Sequence, residues 1–307
     1  MSLTACVLNN NDLAKELGKK GTESDITVYN RKAGNETYTF FVPHSYPEKV
    51  SSLLQCIGGS DFAIVYANGI TKELGETIIA LDSFGMDRGL LVLENITIDE
   101  LRPLIASTVV GKYAVSEKDY SSIMAHLEKV QIEKKAGPVK VGIDHSFDVK
   151  SVGTVALGIV KRGTVAKHSK LEAFPVKMEV IVRSIQIHDE DYDSAEFGAR
   201  VGLALKGADH DELTRGSFVA EKGSIKSGKS LELTFAKNKY YKEDLIEKQK
   251  AFIGIGMQYL SCDIDEIDGS KVKLTAQKEV AYEPGDRIVI ANQDIQGLRI
   301  IGGGRVA

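Results

Sequence analysis

The feature that most constrains this chain is a change of texture at Gly137-Pro138. Before it, apolar runs at residues 3–8, 37–42, 62–67 and 89–93 alternate with amphipathic stretches at 12–17, 48–57, 74–84 and 119–134. Strands that are apolar throughout, set between helices, predict a parallel sheet covered on both faces. After it, strands are short, alternate apolar with polar residues, and are separated by glycine turns, as in 148–153 and 161–164. That is the texture of a barrel or sandwich. A second change falls at 223–228; beyond it 231–235 alternates, 242–250 reads as a helix-like patch, and Asp268-Gly269 marks a hairpin. The chain therefore reads as multi-domain, α/β plus β: an α/β domain over 1–136, one β-barrel over 137–222 and a second over 223–307.

The 307 residues carry a net charge of −4, so the chain is not a protein that grips phosphates over its whole surface, and any RNA binding must be local. The 29 glycines, six prolines and absent tryptophan fit many tight turns. No apolar run reaches the roughly 18 residues of a membrane helix, and residues 1–4 lack a signal peptide's charged start. Cys6, Cys56 and Cys262, odd in number and far apart, read as buried thiols of a reducing cytosol and not as a disulfide frame or metal knuckle. The expectation is a cytoplasmic protein with neither membrane nor DNA as partner; its oligomeric state is left open.

The run Ile143-Asp144-His145-Ser146-Phe147-Asp148-Val149-Lys150-Ser151-Val152-Gly153-Thr154-Val155-Ala156-Leu157-Gly158 resembles the opening of domain II in EF-Tu, elongation factor 1-alpha and SelB. Arg183-Ser184-Ile185-Gln186, the run from Ala199 to Gly207, and Asp211-Glu212-Leu213-Thr214-Arg215-Gly216 follow in that family's order. Gly285-Asp286-Arg287 and Gly303-Gly304-Arg305 resemble closing strands of its third domain. With Leu17-Gly18-Lys19-Lys20-Gly21-Thr22, the pattern is similar to archaeal SelB-like paralogues whose GTPase domain is degenerate. The resemblance implies a P-loop-GTPase-like first domain followed by barrels of domain II and III type. It also implies tRNA or the ribosome as partner. By position, Glu212 resembles the glutamate that packs on the terminal adenosine of tRNA, with Arg215 beside it, although Asp209-His210-Asp211 replaces the usual basic residues.

The GTPase motifs are missing where that resemblance puts them. A phosphate loop needs glycines for backbone N–H groups, a lysine, and a hydroxyl for Mg²⁺. The first strand ends instead in Asn9-Asn10-Asn11-Asp12, a loop that reads as too short, with Asp12 expected to cap the helix. Pro43-His44-Ser45-Tyr46 stands at the aspartate-x-x-glycine position, and Glu94-Asn95-Ile96-Thr97 where guanine should be read. His44, near the place of the family's water-orienting histidine, has no phosphate ligands to work with and reads as a turn residue. No catalytic residue, no metal site and no cofactor are expected, with GTP and GDP disfavoured.

Gly223-Ser224-Ile225-Lys226-Ser227-Gly228-Lys229-Ser230 fits the phosphate-loop pattern to the letter, but the alternating stretch after it predicts a strand where a helix is required. His188-Asp189-Glu190-Asp191-Tyr192-Asp193 reads as a solvated acidic turn, and 263–269 as a hairpin and not a calcium loop. Three functions stay open at this stage. The first is a translation elongation factor-like protein that does not hydrolyse GTP. The second is an active GTPase with a rebuilt pocket drawing on Lys15, Lys19 or a partner. The third is a pure protein-interaction module.

Overall fold

The computed structural model describes residues 2–34 and 36–307. The chain forms two compact units. Glu133–Leu231 and Ala276–Pro284 (with Ser2) make the first; Leu3–Ile132, Glu232–Thr275 and Gly285–Ala307 make the second.

The α/β part of the second unit runs β1 (Ser2–Leu8), α1 (Asn11–Leu17), β2 (Lys19–Glu23), β3 (Thr27–Ala33), β4 (Glu36–Val42), α2 (Val50–Gly59) and β5 (Phe62–Ala67). It continues through α3 (Lys72–Phe84), β6 (Gly89–Leu93), α4 (Ile98–Ile105), β7 (Ala114–Glu117) and α5 (Tyr120–Leu127). The sheet order is β2-β3-β4-β1-β5-β6-β7. Strands β1, β5, β6 and β7 are mutually parallel, and the first three are the apolar runs expected of a covered parallel sheet. The expected parallel sheet is found in these strands and is extended by β2, β3 and β4, which pair antiparallel with one another. Their connections are too short for the crossover that parallel neighbours need. The helix expected over 119–134 is also shorter, ending at Leu127. Beyond it Val130 and Ile132 pack on the core at alternate positions, the period of extended chain.

The first unit contains β8 (Lys140–Val149), β9 (Gly153–Arg162), β10 (Thr164–Ala166), β11 (Lys170–Phe174), β12 (Met178–Ile187), β13 (Glu190–Tyr192), β14 (Ser194–Glu196), β15 (Arg200–Lys206) and β16 (Phe218–Ala220). The order β11-β16-β8-β9-β15-β12 closes into a six-stranded barrel through the β11–β12 pair. Its core is Val141, Ile143, Val160, Val182, Leu203 and Val219, alternate residues pointing inward. The acidic stretch at 188–193 is a hairpin, with His188 and Asp189 both at positive φ (52° and 64°) in its turn. Glu283 ties the Ala276–Pro284 segment to this barrel, taking Lys140 Nζ at 2.6 Å and Arg162 Nη1 at 2.8 Å. Burial pushes its carboxyl up, but the bonds from Lys140 and Arg162 outweigh that and hold it below the ordinary carboxylate value.

A second closed barrel, in the order β17-β20-β19-β18-β21-β22, comprises β17 (Lys226–Lys237), β18 (Lys250–Ile255), β19 (Gln258–Asp268), β20 (Lys271–Tyr282), β21 (Arg287–Ala291) and β22 (Ile300–Val306). The division between units falls inside β17 and β20. The patch at 242–250 is not helical: it is a turn held by Lys237 Nζ to Asp244 (2.6 Å), and Lys250 already begins β18. Its charged residues give no apolar stripe for a helix to bury. Asp268-Gly269 is a hairpin turn, Gly269 at φ 58°.

Within the second unit α2 and α3 pack against this barrel. At Gly58 a Cβ would lie 2.0 Å from the Gly256 carbonyl oxygen, so only glycine permits that approach. Glu76 on α3 and Arg299 before β22 form a buried bidentate pair: Nη2 to Oε2 is 2.5 Å and Nε to Oε1 is 3.1 Å. Arg299 Nη1 also donates to the Pro47 carbonyl at 2.8 Å. The pair lies in the wall of a cavity of about 660 Å³.

All three cysteines are buried thiols outside any disulfide, and burial pushes the Cys6 and Cys262 thiols up to about 12. Among the described residues no helix is long and apolar enough to cross a membrane.

Candidate functional site

In open α/β sheets ligands bind beyond the carboxyl ends of the parallel strands. Here those ends are Asn9 and Asn10 after β1, Asn68 after β5, Glu94 and Asn95 after β6, and Lys118 after β7. Only Asn9 and Asn10 separate β1 from α1. Asn9 stands at φ 66°. The cap is Asn10 and not Asp12: its Oδ1 accepts the Asp12 and Leu13 N–H groups, both at 3.0 Å. Those are the helix-terminal donors an anion would otherwise take. Asn11 opens the helix, and Asp12, in the first turn, pairs with Lys15 at 2.6 Å. Replacing Asn10 by alanine is expected to cost about 1 kcal/mol, read by urea unfolding. A change below a few tenths would mean the cap carries no weight.

The other strand ends satisfy one another. Tyr66 donates its hydroxyl to Glu94 Oε2, and Lys118 Nζ lies 3.4 Å from Glu94 and 5.4 Å from the Tyr66 ring centroid. The Tyr66 bond holds the Glu94 carboxyl below its ordinary value; burial followed by the Glu94 bond raises the Tyr66 hydroxyl. Asn95, at φ 56°, donates to Asn68 Oδ1 at 3.0 Å. Asn9 Oδ1 accepts the Thr77 hydroxyl at 3.0 Å, while its Nδ2 is buried without an acceptor among the described residues. Pro43 is buried and His44 exposed in a turn that follows β4. Thr97 is the cap of α4, in a reciprocal box with Glu100. The sequence reading missed Tyr66, Asn68, Thr77 and Lys118. The first, second and fourth could have been found by listing polar residues at strand ends; Thr77, in mid-helix, carries no such signal.

The other candidate residues sit on the first barrel. A bulge in β8 leaves Asp144 outside the ladder between Ile143 and His145 and turns its side chain inward. Arg200 meets it with both Nη1 and Nη2, the latter at 2.9 Å to Oδ1. The Asp144 carbonyl takes Arg215 Nε at 3.4 Å. Glu212 closes a short turn over His210–Glu212, its Oε2 accepting the Asp209 N–H at 2.9 Å. His210 lies between Asp148 (3.1 Å) and Asp211 (3.2 Å). Glu212 and Arg215 thus lie in two successive turns of the connection between β15 and β16, both half-buried.

The apparent phosphate loop is not one. Gly223 (φ 72°) lies in a turn, and Gly228, Lys229 and Ser230 belong to β17, so no helix N-terminus follows. Among the described residues no group of three or more His, Cys, Asp or Glu is placed to hold a metal ion.

Comparison with known proteins agrees with this architecture. The model of elongation factor Tu domain 2 matches residues 153–220. A protein of Methanocaldococcus jannaschii without assigned function is 40% identical over 96% of both chains. The selenocysteine-specific elongation factor of the same organism is 31% identical over 198 residues, 55% of this chain and 41% of that one. Among solved structures, translation elongation factor SelB of Methanococcus maripaludis, in complex with the GTP analogue GppNHp, superposes with a TM-score of 0.82. It is 21% identical, covering 99% of this chain and 78% of SelB. A bacterial selenocysteine-specific elongation factor gives 0.82 at 20% identity, with 58% of that chain covered. An α/β domain with two closed six-stranded barrels is thus an elongation-factor fold. The chain belongs to the EF-Tu/SelB-like translation elongation factor family.

Proposed function

We propose that this protein is an elongation-factor-like partner of tRNA or the ribosome that works through its barrel domains and without GTP hydrolysis. The observation that carries the second half is the two-residue connection between β1 and α1, whose helix-terminal donors are taken by the Asn10 side chain. A triphosphate needs a longer glycine-rich loop with free N–H groups. Pro43-His44 and Glu94-Asn95, in place of the magnesium and guanine motifs, point the same way. What supports the first half is kinship with selenocysteine-specific factors and the Glu212–Arg215 segment on the first barrel.

Titration calorimetry with GTP and GDP in the presence of Mg²⁺ tests the reading, with Lys229→Ala as control. The expected result is no binding at high micromolar nucleotide, together with salt-sensitive binding of tRNA or ribosomes. Guanine-selective binding that survives Lys229→Ala would mean a rebuilt N-terminal pocket and an active nucleotide switch. Protein partners without RNA binding would leave a pure interaction module.

A further inference from the structure

The sequence stretch that mimics a phosphate loop has a second, unexplained property. The turn between β11 and β12 and the turn leading into β17 lie side by side, joined by Ser227 Oγ to the Pro175 carbonyl at 2.9 Å and by Lys177 Nζ to the Ser227 carbonyl at 3.4 Å. Between them is a depression of about 460 Å³ edged by Lys177, Lys222 and Lys226, with Phe174, Tyr282 and Glu172 in its walls. The three lysines are exposed, and among the described residues none of their ammonium groups forms an ion pair. In a chain of net charge −4, three unpaired cations around one hollow are a local reversal of sign.

We propose that this depression is a contact site for the phosphodiester backbone of RNA. The inference rests on the RNA-binding reading above and adds a place to it, apart from the Glu212–Arg215 segment. Lysines are compact charges on flexible stems and hold phosphates without reading sequence. The half-buried Tyr282 offers a ring on which a base can stack. The Glu172 carboxylate selects among anions. It accepts the Gly223 N–H at 3.2 Å, taking a turn donor that a small free phosphate would use.

The test is the salt dependence of binding, by fluorescence anisotropy with bulk deacylated tRNA and, as a second probe, isolated ribosomes. For the triple variant Lys177→Gln/Lys222→Gln/Lys226→Gln we expect the slope of log K against log salt to fall by about 2 to 3, and affinity in low salt to fall about 10-fold or more. A control triple of exposed lysines elsewhere, Lys19→Gln/Lys112→Gln/Lys129→Gln, should keep the wild-type slope. Glu172→Gln, which keeps an acceptor for Gly223 and removes a charge, should bind a few-fold more tightly. If the wild type binds either probe and the lysine triple keeps its slope, the inference falls while RNA binding stands. If the wild type binds neither probe, both fall. If the triple loses poly-glutamate binding but not RNA binding, the occupant is an acidic protein and the inference is overturned.

Discussion

Glu76→Ala should destabilise the protein by about 3–5 kcal/mol, because it leaves the Arg299 guanidinium buried without its carboxylate. Glu76 accepts two side-chain bonds and one backbone bond from Arg299, so three donors lose their acceptor at once. A loss of that size is a large share of the roughly 5–15 kcal/mol that holds a domain folded. Urea unfolding reads it directly. Replacing both partners by apolar residues, as in Glu76→Met/Arg299→Leu, should recover most of the loss, since no charge then stays buried. A loss below about 1 kcal/mol for Glu76→Ala would mean that water reaches the pair through the adjoining cavity.

The Asp144–Arg200 pair in the first barrel should behave alike in stability. The side chain of Asp144 is 4% exposed and that of Arg200 11%, and their two-pronged geometry is the strong form of the interaction. Asp144→Ala is expected to cost about 3–5 kcal/mol. Arg215 contacts the Asp144 main-chain carbonyl, which alanine keeps. RNA affinity measured well below the melting transition should therefore change less than two-fold. Loss of RNA binding in a folded Asp144→Ala protein would show that the carboxylate positions the Glu212–Arg215 segment as well as holding the bulge.

What the sequence revealed follows from how each element is buried. β5 and β6 are apolar on both faces and lie inside the sheet, so Phe62–Ala67 and Gly89–Leu93 could be read directly. β2, with the sequence Lys-Lys-Gly-Thr-Glu, lies at an edge and is largely exposed, so neither periodicity nor hydrophobicity marks it. β7 is four residues long. The barrel hairpins were visible because Gly153 and Gly269 sit at positive φ where the chain must reverse. Gly285-Asp286-Arg287 and Gly303-Gly304-Arg305 meet in register, Arg287 opposite Arg305, which no local pattern could have paired. The site divides similarly. Missing glycines and lysine are legible in a string of letters, whereas the Tyr66–Glu94–Lys118 group joins three separate strand ends and exists only once the sheet has formed.

The short passage from β1 into α1 has a further meaning for the history of such a chain. Side chains can be exchanged one codon at a time, but no exchange lengthens a connection of two residues. To build a phosphate loop at this place would demand an insertion in register, new glycines, and eviction of Asn10 from the helix end it completes.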